Sequence, residues 1–100
     1  MMTRNEILTW VKEELIHKRL KLEDMGVDIS EIKDDTQIFA EDDLGLDSVD
    51  GLELAIGIQQ KFQVTLPLEG NESFAEHFQT PTTITNFIIT LLTEQKGWKE

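Results

Sequence analysis

Two stretches of this chain begin on complete helix-start signals and then repeat apolar residues at the helical period, which commits both of its ends to helix. Thr3-Arg4-Asn5-Glu6 has the form of a capping box, with Thr3 as N-cap and Glu6 at the third helical position. Ile7, Leu8, Val11, Leu15 and Ile16 follow at helical spacing, and Lys18, Arg19 and Lys21 suit the negative end of the helix dipole. This predicts a helix over 3–21. Thr80-Pro81 pairs a cap with proline at the first helical position, and Ile84, Phe87, Ile88, Leu91 and Leu92 continue the pattern. The last helix is predicted over 81–94, giving a domain over 1–94 and a frayed tail over 95–100.

Between them, 22–46 reads as a long connection pinned to the core by single apolar residues: Val27, Ile29, Ile32, Ile38, Phe39 and Leu44. So long a loop in so small a domain points to function or local disorder. A second helix is expected from Asp47 or Ser48 to about Gln63, with Asp47 as cap and Asp50 completing an approximate capping box. At about 100° per residue, Gly51, Leu54, Ala55, Ile58 and Phe62 share one arc, which should face the core. Val49 and Ile56 fall on nearly the opposite side, beside Asp50, Glu53 and Gln60. Periodicity alone leaves open whether that outer side is a docking face or carries scattered surface hydrophobics. A short third helix over 71–78, capped by Asn71, would turn Phe74, Ala75 and Phe78 inward. No strand signal competes, so the fold class is all-α: a small four-helix bundle with a long first loop.

Charge narrows the partners. In 100 residues there are 20 acids against 9 bases, a net charge of −11. Phosphate binding relies on Lys and Arg, so nucleic acid is nearly excluded, and an anionic membrane surface is disfavoured by the same sign. A basic protein surface is favoured. From Asp34 to Gln60 stand Asp34, Asp35, Glu41, Asp42, Asp43, Asp47, Asp50 and Glu53, with no Lys or Arg among them. Read as a calcium loop from Asp42 to Glu53, the run lacks the required glycine and has Leu44 and Leu46 where oxygen ligands belong. No metal site is expected. Phe87 to Leu92 is too short to span a bilayer, no secretory signal core opens the chain, and a cytoplasmic monomer is the default.

Cysteine is absent. Thiol chemistry would need an added group. Ser48 stands between Asp47 and Asp50 at the start of the second helix. A catalytic serine needs a base and an oxyanion hole, and Gly45 and Gly51 do not form a nucleophile elbow around it. Neighbouring carboxylates oppose an alkoxide, so Ser48 is a poor nucleophile and no residue is assigned a catalytic role. It is either an ordinary helix-start serine or an acceptor that another protein modifies. His17 and His77 are read as surface or helix-end groups, and Trp98 as part of the tail.

Asp43-Leu44-Gly45-Leu46-Asp47-Ser48-Val49-Asp50 resembles the attachment motif of acyl carrier proteins, and the similarity runs over roughly 3–93, through Leu52-Glu53-Leu54, Phe62, Pro67 and Thr82 to Ile88. The resemblance implies a carrier rather than a catalyst. It implies that a phosphopantetheinyl transferase attaches 4′-phosphopantetheine from coenzyme A to Ser48, and that the arm's thiol carries acyl groups as thioesters. Partners would then be the transferase and acyl-transfer or ketosynthase-type enzymes with basic docking patches, in fatty-acid, polyketide or specialised lipid synthesis. By position in the motif, Asp47, Val49, Asp50, Glu53 and Ile56 would form the docking face, and Leu54, Ala55, Ile58 and Phe62 would be candidates to line an acyl-chain pocket as well as the core. The reading from a different class is an acidic helical adaptor that is never modified.

The sequence departs from the family pattern where Val49 replaces the usual Leu, and where Gln59, Gln60 and Lys61 stand at often-acidic positions. The segment Leu66 to Gln79 is also long. Together these point to a specialised carrier with a restricted set of partners.

Overall fold

The computed structural model of the chain describes residues 2–66 and 77–99, and every regular element among them is helical. Helix α1 (Arg4–Trp10) opens on the expected capping box: the Thr3 hydroxyl accepts from the Glu6 N–H at 3.2 Å, and Glu6 Oε1 accepts from the Thr3 N–H at 2.9 Å. The helix continues as a π-helical segment, Val11–Lys18, closing with the Arg19 N–H on the Glu14 carbonyl five residues back at 3.0 Å. Regular hydrogen bonding stops there, short of the expected 21. Lys21, left-handed at φ 54°, then turns the chain away.

The long connection is built as expected, a loop tied down at intervals. It contains two 3₁₀ turns, Leu22–Met25 and Ile29–Glu31, the second capped by Asp28. Leu22, Ile32, Ile38 and Leu46 are buried, and Val27, Ile29, Phe39 and Leu44 pack partly against the core. Asp34 joins the two ends of the chain: its carboxylate takes Lys12 Nζ at 2.8 Å, and its carbonyl accepts from the Thr82 N–H at 3.1 Å and hydroxyl at 2.9 Å.

Helix α2 (Ser48–Phe62) lies antiparallel to the first helix. Trp10 meets Phe62 edge-on at 5.1 Å, Leu15 lies against Gly57, and Arg19 reaches Glu53. Leu54, Ala55 and Ile58 are buried, as the inner arc requires, and Gly51 with them; Phe62 is half-buried. Helix α3 (Pro81–Lys96) is capped by Thr80 with Pro81 at its start, and buries Ile84, Ile88, Leu91 and Leu92 in the same cluster as Ile7, Val11, Leu15 and Ile16. Each such side chain contributes about 1.5–3 kcal/mol on leaving water. The short helix expected over 71–78 lies outside the described residues except for its last two, of which Phe78 is fully buried.

The chain end differs from the expected frayed tail. Helix α3 runs to Lys96, two residues past 94. The Trp98 N–H turns back to the Leu92 carbonyl at 3.1 Å, and its indole is buried, donating from Nε1 to the Met2 carbonyl at 2.9 Å. The Gln95 side-chain amide pairs with the Thr65 backbone in both directions, each bond 2.8 Å. A buried indole with its N–H satisfied outweighs the entropy of leaving the end free.

Candidate functional site

The loop ahead of α2 folds back on itself and aims the helix start outward. The Leu44 N–H meets the Gln37 carbonyl at 3.3 Å, the Leu46 N–H meets the Ile38 carbonyl at 3.0 Å, and the Asp43 carboxylate accepts from the Gln37 N–H at 2.8 Å. The Ile38 N–H in turn donates to the Gln79 carbonyl at 2.9 Å, fixing the loop to the chain beside α3. Gly45 makes the reversal at φ +66°, a left-handed conformation that costs glycine little. Leu46 is then buried, and the next three residues, Asp47, Ser48 and Val49, are exposed. One apolar anchor therefore sets where the serine stands.

Asp47, extended at φ −112°, is the N-cap. Its Oδ1 accepts from the N–H groups of Val49 at 3.0 Å and Asp50 at 3.1 Å, while Asp50 Oδ2 accepts from the Asp47 N–H at 3.1 Å. Three otherwise unpaired backbone donors around the serine are satisfied this way. Ser48 is the first helical residue, and among the described residues its hydroxyl makes no hydrogen bond. Neither histidine serves it: His17 Nε2 is bonded to the Val27 carbonyl at 2.8 Å, and His77 stacks on Phe87 at 4.2 Å. Among the described residues no group of side chains could hold a metal ion. The arrangement presents an oxygen and does not activate it, which suits an acceptor.

The structure places Val49 and Ile56 on the outer side of α2, with Val49 72% exposed and Ile56 half-buried. It adds a residue that sequence reasoning did not single out for this face: Leu52, 50% exposed, one turn beyond Ser48 and in line with Ile56. The signal was its helical position beside those two. Asp47 and Asp50 flank the serine, each with its second carboxylate oxygen unbonded among the described residues. Glu53 differs. Its Oε1 is 2.9 Å from Arg19 Nε, which also donates to the Glu53 carbonyl at 3.2 Å. Leu54, Ala55 and Ile58 face the other way, into the core.

Residues 18–88 match the family described as phosphopantetheine attachment site. The chain belongs to this family, of which acyl carrier proteins are members. Its cofactor is covalently attached 4′-phosphopantetheine, and it is a carrier protein of a generally non-catalytic kind, acting with a phosphopantetheinyl transferase and acyl-processing enzymes. The exposed, unengaged serine fits that group: a phosphodiester can form at Oγ without disturbing the cap or the core. No helix among the described residues is long and apolar enough to cross a membrane.

Proposed function

We propose that Ser48 Oγ is the attachment point, and that the chain holds acyl intermediates as thioesters for fatty-acid, polyketide or specialised lipid synthesis enzymes. The observation that carries this reading is an exposed hydroxyl at the first residue of α2, framed by two mutually capping aspartates. Ser48 Oγ attacks the phosphorus of coenzyme A that bears the pantetheine. The Oγ–P bond forms as the P–O bond to adenosine 3′,5′-bisphosphate breaks, and the hydroxyl proton passes to a base of the transferase. When bound, the arm supplies the thiol that this cysteine-free chain lacks.

The docking face is the outer side of α2. Val49, Leu52 and Ile56 offer an apolar contact, and Asp47 and Asp50 offer charge to a basic patch beside the serine. Such a surface favours fast, reversible encounters with several enzymes, and the arm raises the effective concentration of cargo at each. Leu54, Ala55, Ile58 and Phe62 are the candidates to contact an acyl chain entering between helices. The uncharged Gln59 and Gln60 and the basic Lys61 favour a specialised carrier. Incubation with coenzyme A and a broad-specificity phosphopantetheinyl transferase, followed by intact mass, tests the assignment. One added arm, absent in Ser48→Ala, is expected; an unmodified chain would favour the adaptor reading.

A further inference from the structure

We infer that Arg19 is a specificity-determining residue of the docking face, acting by withholding Glu53 from partners. The inference rests on the docking role proposed for α2. Glu53 is the acid nearest the middle of the outer face, where a basic partner would reach for it. Arg19 Nε holds it at one point, pairing with one carboxylate oxygen at 2.9 Å while donating to the Glu53 backbone carbonyl at 3.2 Å. The helix makes room for this grip at Gly57. A Cβ there would stand 2.6 Å from Leu15 Cδ1, 2.9 Å from Arg19 Cδ and 3.0 Å from Arg19 Nε. Missing its side chain, Gly57 leaves the Arg19 stem lying flat on α2 with the guanidinium over Glu53.

The pair is locally neutral, and the C-terminal half of α2 carries no acid beyond it, only Gln59, Gln60 and Lys61. Attraction to a cationic surface is therefore confined to the N-terminal turn, at Asp47 and Asp50, with Asp42 and Glu41 exposed in the loop before it. The partner that fits is an enzyme whose basic patch is short and lies beside its arm entrance, and which turns an uncharged surface toward Leu52 and Ile56. An enzyme whose basic residues extend along the helix would meet a neutral pair and then Lys61.

The test uses coenzyme A and a broad-specificity phosphopantetheinyl transferase whose basic residues extend along the docked helix, with the carrier varied and KM and kcat measured at low and high salt. Arg19→Met keeps the apolar stem over Gly57 and frees Glu53. It should lower KM for the carrier by about two- to fivefold at low salt, the worth of one exposed ion pair, with kcat unchanged and the gain lost at high salt. The double variant Arg19→Met with Glu53→Gln, which replaces a neutral pair by two neutral residues, should return KM to the wild-type value. An unchanged KM in Arg19→Met would overturn the inference. So would a double variant that stays at the lowered KM, or one that rises above wild type, which would mean that Glu53 already docks. If Arg19→Met lacks the native circular-dichroism spectrum, Arg19→Gln replaces it with the same expectation. Absence of modification in the wild type would bring down the assignment of Ser48 and this inference together; modification with KM unmoved would bring down this inference alone.

Discussion

Asp47 and Asp50 cap each other across the serine: the side chain of the first accepts from the backbone N–H of the second at 3.1 Å, and the side chain of the second accepts from the backbone N–H of the first at 3.1 Å. The backbone of Ser48 is held between them. Asp47→Ala should lower stability to urea by about 1 kcal/mol, as for other lost N-caps, whereas Asp47→Asn should lose less because it can still accept. The Asp47→Ala variant should also be modified more slowly at Ser48, since the first turn that presents the hydroxyl loosens.

Gly57→Ala sets two effects against each other. Helix propensity favours alanine by about 1 kcal/mol. The new Cβ would stand 2.6 Å from Leu15 Cδ1 and 2.9 Å from Arg19 Cδ, so the packed Leu15 and the Arg19 stem would both have to shift. Overpacking of this kind costs about 1–3 kcal/mol, so the variant should be less stable by urea denaturation despite its better propensity.

Trp98 joins the two ends of the chain through its bond to the Met2 carbonyl. Trp98→Ala should cost about 3 kcal/mol, a large share of the stability of a domain this size. Trp98→Phe keeps most of the packing but leaves the Met2 carbonyl unpaired, and should fall between the two. Thermal melts of the three proteins measure the order.

Two carboxylates make part of the fold's stability depend on pH. Hydrogen bonds from the Thr3 backbone and hydroxyl hold Glu6 below the ordinary carboxylate range, and those from the Ser30 hydroxyl and N–H do the same for Asp28. A carboxyl whose folded pKa is depressed adds stability above its unfolded pKa and loses it as pH falls through the folded value. Glu6→Gln and Asp28→Asn should therefore be less stable than wild type at neutral pH. The gap should close as pH drops below the usual carboxylate range, which urea midpoints across the acid limb will show.

What is legible in the sequence is what sits within a turn or two of itself. The capping pairs at Thr3 and Glu6 and at Asp47 and Asp50 are local, as are the Thr80 cap with Pro81 and the inner arc of Leu54, Ala55 and Ile58. The candidate site is read from a contiguous motif, and the cap at Asp47 that positions Ser48 is local for the same reason. The missing parts are contacts between distant residues: Arg19 with Glu53 at a separation of 34, Thr65 with Gln95 at 30, and Met2 with Trp98 at 96. No periodicity encodes these. The π-helical register of Val11–Lys18 is hidden as well, because its apolar residues fit an ordinary helix equally well. Gly57 reads as a helix weakness in isolation and becomes a packing requirement only beside Leu15 and Arg19.

The measurement that bears most directly on the assignment of Ser48 is the intact mass of the full chain after incubation with coenzyme A and an active phosphopantetheinyl transferase. The wild type should gain the mass of one 4′-phosphopantetheine arm and Ser48→Ala none. An arm that still adds to Ser48→Ala, or a wild type left unmodified by a transferase active on a control carrier, would contradict it.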